Sequence, residues 1–519
     1  MVARERAVDS TKLLETLISK NWEAPEGDRE LHVKAVISDK PASYWLCAAK
    51  IGWQADRRQF VLHGSVIGDG SSQMKLKPPM WIEKVDGQLG KRGSLEGWKK
   101  GVAIPARFST RIMMLMSCAF AAPLLSHVEL QSFAVLLFGA SKAGKTTALL
   151  AASSVMGIGR ESDLPNFNTT DSAFFERARM FNDLIYPGNE LGLMRGPKKE
   201  AYHRIRNLLY SFSEGGDTAR HSQSSYSSSS STGKWRGIFL PNSEHSFNSL
   251  AEIAGVERDA GEYARCIDVP IPSGKSRTVF DRRPSSVGVG EYPVWARKEL
   301  IKLREACAQH SGYAIEAYVK FLIENRETVE TKVRAYMQTF DQHLGDLSHL
   351  DGAFIHAAKN CSLIYAGGRM AIEAAVVPWQ PERLLSAISQ CFEATLQESQ
   401  KSETALERGK RILKAKLKGL PSKPAEGGVD VARDVGFCGK LEGDEVGYTI
   451  SCAVMKKWLF RPGQLQAVIF WLDHVKCLRP SKPKPIDGSR SLLWAMKTPR
   501  WQGAKKVKSY CFVDPFTKH

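Results

Sequence analysis

A chain of 519 residues that is 43% hydrophobic and 25% charged is not a disordered one, and it is long enough for two or three domains with cores of their own. A net charge of +18 points to a polyanionic partner without choosing between nucleic acid and an anionic membrane surface. The ten cysteines show no CxxC pair and no Cys/His ligand spacing, so neither a disulfide framework nor a zinc site is indicated. Such scattered thiols suit a cytoplasmic location.

In chain order, MVARERAVDSTKLLE has no apolar stretch behind its basic residues and does not read as a signal peptide. Residues 1–130 form an N-terminal α+β region, in which strand-like runs (HVKAVI, QFVLHGSVIG) alternate with turn signals such as GDG. A helix is predicted over 109–122. The apolar stretch IMMLMSCAFAAPLL contains Pro123 and reads as too short for a bilayer span, so it is expected to be a buried helix and no membrane is expected as a partner. FAVLLF at 133–138 is a short continuous apolar run ended by glycine, the pattern of a fully buried strand. A helix follows from Lys145, and DLIYP and KWRGIFLP supply further strands. Strands alternating with helices over 131–290 predict an α/β core with a mostly parallel sheet.

The serine run HSQSSYSSSSSTG at 221–233 reads as a flexible loop. Helical periodicity dominates 291–417, and the Pro/Gly-rich 418–429 reads as a linker. The last segment, 430–519, carries sixteen Lys or Arg against eight Asp or Glu. There MKKWLF, the turn RPG and QLQAVIFWLDHV read as helix, turn and helix, followed by the strand-like SLLWAM and SYCFVD. This is the layout of a winged helix; a small structural cap with solvated charges fits the same pattern.

The chemistry is concentrated in Gly139, Ala140, Ser141, Lys142, Ala143, Gly144, Lys145 and Thr146, which fit G-x-x-x-x-G-K-[ST] without a gap, with Thr147 next in line. Glycines let backbone N–H groups curl around a β-phosphate, a lysine at that place reaches the β- and γ-phosphates, and the Thr146 hydroxyl is the expected Mg²⁺ ligand. ATP and Mg²⁺ are therefore the expected cofactors, and no N-K-x-D pattern points to guanine. In NDLIYPGNELG, Glu190 is placed to polarise the attacking water and Asn189 to meet the metal's outer shell. Asparagine brings no negative charge there, and a Gly/Asn turn with an incidental glutamate fits equally. GIFLP ends at Asn242, a polar strand tip suited to positioning a water. Arg258 or Arg265 is a candidate arginine finger to a neighbouring subunit's nucleotide.

The order of SLEGWKKGVA, GASKAGKTTALLAASSVMG, NTTDSAFFE, NDLIYPGNELG, WRGIFLPNSEHS, YARCIDVPIP and GAFIHAAKNCSLIYAGG resembles a P-loop ATPase family of phages, plasmids and genomic islands, catalogued as a domain of unknown function, number nine-two-seven. The resemblance covers most of the chain from about residue 50. It implies an AAA+-type core related to the ring helicases of small replicons: a hexamer, ATP between subunits and single-stranded DNA in the pore. Lys145 and Thr146 then fall on the phosphate loop, Glu190 on the catalytic glutamate, Asn242 on the sensor strand, and Arg265 on the arginine ahead of Asp-x-Pro. The chain departs from the family at Asn189, where the pattern has aspartate. It departs again at GGDTAR, which keeps Arg220 but has Thr218 in place of a pore-hairpin lysine.

The expected function is thus an ATP-dependent DNA helicase or translocase of a mobile genetic element. The alternative is a slow-turnover, nucleotide-gated assembly or regulatory ATPase, which Asn189 and the serine run favour.

Overall fold

The computed structural model describes residues 45–48, 50–54, 57–63, 65–68, 75–77, 89–165, 169–191, 197–216, 234–256, 258–272, 278–401, 405–420, 437–440, 446–459, 464–479, 496–497 and 508–516. HVKAVI, Thr218, Arg220, the serine run, most of the linker and the RPG turn lie outside them.

The short N-terminal strands are β1 (Trp45–Cys47), β2 (Gly52–Trp53), β3 (Phe60–Val61), β4 (Val66–Ile67) and β5 (Lys75–Lys77). β2, β3 and β4 form an antiparallel meander, as QFVLHGSVIG suggests, and β1 pairs with β5 in parallel. The meander is pinned to the rest of the molecule at Trp53. Its indole N–H donates to the Pro123 carbonyl (2.8 Å), and its backbone N–H donates to the buried Asp183 carboxylate (3.0 Å), which is paired with Arg236 (2.7 Å).

SLEGWKKGVA forms α1 (Leu95–Trp98) and a π turn (Lys99–Ala103), and α2 (Ile104–Ala106) follows directly. Next come α3 (Thr110–Ala121), a 3₁₀ turn (Ala122–Leu124) and α4 (Leu125–Val128). Here the sequence reading is corrected. The helical path does not stop at Pro123, because a tight 3₁₀ turn absorbs the missing N–H and carries it on to Val128. Thr110–Val128 is therefore long and apolar enough to cross a membrane by length and composition, yet all of it is buried inside the protein.

The central sheet holds β6 (Phe133–Phe138), β7 (Leu184–Gly188), β8 (Gly237–Ser243) and β9 (Cys266–Pro270), all parallel, in the order β7-β8-β6-β9. Every residue of β6, β7 and β8 is buried, as expected for strands covered on both faces. The helices between them are α5 (Lys145–Ser154), α6 (Asp171–Met180), α7 (Lys198–Glu214), α8 (Phe247–Ala254) and α9 (Ala260–Arg265). Phe174, Tyr186, Phe212 and Phe239 interlock their rings at 5.1–6.4 Å and fasten α6 and α7 to β7 and β8.

The predicted helical region contains α10 (Tyr292–Gln309), α11 (Tyr313–Glu324), α12 (Arg326–Leu344), α13 (Gly352–Glu373) and α14 (Pro381–Lys401). α13 and α14 pack on α3, α14 also on β9, and α10 on α5. Their buried residues join the sheet's in one core. A second core contains Leu413 and Leu417 of α15 (Ala405–Leu417), together with Ile450, Val454, Val468, Leu472 and Phe512 further on. The last charged helix thus packs with the C-terminal elements: β10 (Phe437–Lys440), β11 (Val446–Ser451), α16 (Cys452–Trp458), α17 (Gln464–His474), β12 (Met496–Lys497) and β13 (Lys508–Val513). Their antiparallel sheet has the order β10-β11-β13-β12.

Candidate nucleotide cleft

Lys145, Thr146, Glu190 and Asn242, singled out in the sequence, meet at the C-terminal ends of the parallel strands, where open α/β sheets place their ligands. β6 ends at Phe138, and the segment from Gly139 leads into α5. Lys142 and Gly144 both have positive φ, +61° and +97°. At Gly144 a Cβ would also lie 2.8 Å from Leu300 and 2.9 Å from Val279, so glycine is required there twice over. Val279 N–H donates to the Ala143 carbonyl (2.7 Å), tying the loop to the segment just ahead of Phe280. The Lys145 ammonium reaches back and donates to the carbonyls of Gly139 and Ala140, both at 2.9 Å.

Ser141, Lys142, Gly144, Lys145, Thr146 and Thr147 line a cleft of about 610 Å³. Gly139, Ala140 and Ala143 are not among its lining residues. Across from the loop are Glu190 after β7 and Asn242 at the tip of β8. The strand order explains this meeting. β8 lies between β6 and β7, so its tip stands between the glycine-rich loop and Glu190. Asn242 uses both ends of its amide there: its oxygen accepts from the Glu190 N–H (2.7 Å) and its nitrogen donates to Asn189 Oδ1 (3.1 Å). Asn189 itself is bonded to Asn242 and is not among the residues that line the cleft.

Arg265 is not in the cleft. It ends α9 just before β9, at the opposite end of the parallel sheet, where its guanidinium lies 4.3 Å from the Tyr210 ring and donates to Gly261 O (3.1 Å). Arg258 is buried and paired with Asp268 (2.8 Å), with its plane near the Phe247 and Tyr263 rings. That guanidinium is a structural strut of the core.

Three contributions escaped the sequence reading. Glu244 and His245 extend the β8 tip into the cleft, and α10 closes it with Leu300, Ile301 and Arg304. Arg304 is ion-paired with Glu161. Burial lowers the Lys145 pKa, and the carboxylates of Glu244 and then Glu190 oppose that shift. The cleft volume is in the range of small-ligand sites, and its floor is the N-terminus of a ten-residue helix beside a lysine. Its donors therefore suit a phosphate-bearing ligand, and the Thr146 hydroxyl is available to an accompanying cation.

Sheet and cleft together define an α/β protein with a glycine-rich loop at a strand-to-helix junction. The family described as Domain of unknown function (DUF927) matches residues 1–227, the part of the chain that holds the glycine-rich loop and Glu190, in agreement with the resemblance of the motifs there. No curated protein matches the chain significantly. Among solved structures the fold is similar to a chain described as "SCCmec type IV Cch - active helicase", with a TM-score of 0.58 and 14% identity over 89% of this chain and 82% of that one. At that identity the likeness is one of fold.

Proposed function

We propose that the protein is an AAA+-type P-loop ATPase that works as a DNA helicase or translocase of a mobile genetic element. The observation that carries the reading is the convergence of Lys145, Thr146, Glu190 and Asn242 on one cleft from three adjacent strands. The fold likeness to a helicase and the family match agree with it.

In this reading Mg·ATP, when bound, supplies an activated γ-phosphoryl group. Lys145, which donates to the Gly139 and Ala140 carbonyls, would turn to the phosphates, and the Thr146 hydroxyl would hold the metal. Glu190 orients the attacking water, and Asn242 fixes the turn that carries Glu190. Arg304 exchanges Glu161 for the phosphates from the α10 side. Arg265 stands five residues before the end of β9, roughly 16 Å of strand from the cleft's level, so it serves a neighbouring subunit. That arrangement calls for a ring, with a hexamer the expected form. We read helix α15, strand β11, helices α16 and α17, then β12 and β13, as a winged helix to which β10 adds an edge strand beside β11; the sheet order β10-β11-β13-β12 supports that reading. We assign this unit, with its basic charge, to loading single-stranded DNA, which makes binding salt-dependent.

A second reading, a slow-turnover ATPase that gates an assembly, is favoured by one observation: Asn189 is neutral and already engaged by Asn242. ATP turnover with and without single-stranded DNA, beside a Lys145→Ala control, separates the two. Turnover that rises with DNA and vanishes in the variant supports the translocase. Nucleotide binding that needs Lys145 but gives negligible turnover with any DNA supports the gate.

A further inference from the structure

One carboxylate in the cleft has no part in the reaction outlined above. Glu244 follows directly on β8, where Ser243 O accepts from Gly139 N–H (3.2 Å). The registers place it closely. Phe138 pairs with Ser243 on one side and Gly188 with Pro241 on the other, so Glu244 comes level with Gly139 and lies one residue beyond the level of Glu190. Neighbouring strands are about 4.8 Å apart, which sets this carboxylate between the glycine-rich loop and the water-orienting glutamate. Glu244 is exposed to the cleft and makes no hydrogen bond or ion pair with another described residue. Asn189, at the place where the sequence pattern expects an aspartate, is neutral and spends its Oδ1 on Asn242.

We propose that Glu244 supplies, from the tip of β8, the negative charge toward the nucleotide's Mg²⁺ that Asn189 cannot supply from the tip of β7. The proposal rests on the nucleotide reading and names the residue that completes its metal site. Mg²⁺ keeps several of its waters when it binds with phosphates, so a carboxylate one water away holds it through its charge without direct ligation. Lys142, Lys145 and Arg304 line the cleft as partners for the phosphates, and of the two carboxylates among its lining residues Glu190 is taken up with the water, which leaves Glu244 for the metal. Glu244 also bears on the Lys145 ammonium more strongly than Glu190 does, in keeping with its position beside the loop. Without a cation, two carboxylates face the phosphates, so nucleotide binding depends steeply on Mg²⁺.

The test is binding of a fluorescent, non-hydrolysable ATP analogue to the full chain, titrated with MgCl₂, for wild type, Glu244→Gln, Asn189→Asp, the double variant and Lys145→Ala. Glu244→Gln is expected to raise the Mg²⁺ concentration for half-maximal binding by roughly tenfold or more, the usual cost of losing an outer-shell partner. Asn189→Asp in that background is expected to bring it back toward the wild-type value. An unchanged Mg²⁺ requirement in Glu244→Gln, while Lys145→Ala still abolishes binding, overturns the proposal and leaves the nucleotide reading standing. So does an Asn189→Asp effect of equal size with and without Glu244. Analogue binding by no variant, wild type included, overturns the nucleotide reading and this proposal with it. Thermal unfolding without nucleotide checks that each variant is folded.

Discussion

Glu190 adopts a φ of +58°, a left-handed conformation that costs a residue with a Cβ about 1–2 kcal/mol. The Asn242 amide offsets that cost by accepting the Glu190 N–H from 1% exposed surroundings. Asn242→Ala leaves that N–H unpaired and frees the turn. The expected outcome is a loss of ~1–3 kcal/mol in stability, with turnover falling far more than nucleotide affinity, since Lys145 is untouched. Parallel binding and turnover assays check this, and an equal fall in both would contradict it. A second residue sets an acid limit. His127, 5% exposed, packs edge-on against Trp53 at 5.6 Å, and burial, then Arg57, hold its pKa down to about 4. It stays neutral in the fold while the unfolded chain takes up a proton below about 6.5. The stability it contributes is fully present above pH 6.5 and is lost as pH falls toward 4, a change of up to about 3 kcal/mol. A thermal midpoint that drops across this window in the wild type, and drops less in His127→Asn, is the expected result.

α10 is the element that turns a loop into a cleft. It lies so close to the π turn that a Cβ on Gly101 would come 2.6 Å from the Ala306 Cβ, while two turns back Leu300 covers Gly144. The Trp98 indole fixes the same motif to α5 through Ser154 Oγ (2.9 Å), and Trp379 fixes it to α14's approach through Ala103 O (2.7 Å). Gly101→Leu therefore acts at a distance: it pushes α10 outward and is expected to weaken nucleotide binding several-fold with the glycine-rich loop intact, alongside about 1–3 kcal/mol of overpacking cost. Equilibrium binding beside Gly101→Ala measures it, and unchanged affinity in the leucine variant would separate α10 from the site. The same geometry shows what the sequence could carry. β6, its loop and α5 were legible because the strand, the glycines and the helix are consecutive and their pattern is local. β7 and β8 were legible as apolar runs with polar tips. The part played by Leu300 and Arg304 was not, since they meet the loop only after about 160 residues of intervening fold, and no periodicity encodes that contact. Glu244 was quoted within WRGIFLPNSEHS, but only the register of β8 against β6 turns it toward the cleft. The continuation of the helical path past Pro123 was hidden for another reason: the proline falls at the start of a 3₁₀ turn between α3 and α4, where its missing N–H is tolerated, and all of that path is buried.

At the scale of the whole molecule, the cleft lies at one end of the sheet and Arg265 at the other. A monomer cannot bring the two together, because the strands between them are buried and parallel. A ring of like subunits can, since a head-to-tail interface sets the start of one sheet against the end of the next. Arg265→Ala should then lower turnover by about 10³-fold or more while leaving nucleotide binding almost unchanged. Lys145→Ala should remove binding at its own cleft yet still present an intact Arg265 to its neighbour. Mixing the two inactive variants in equal amounts and allowing subunits to exchange creates interfaces with Lys145 on one side and Arg265 on the other, about a quarter of the total if assembly is random. Turnover recovering toward that fraction, from two proteins that are each inactive alone, is the expected outcome. Recovery of none, with exchange verified by mixed labelling, would mean that Arg265 acts within its own subunit's fold, as a partner of Tyr210 and no more.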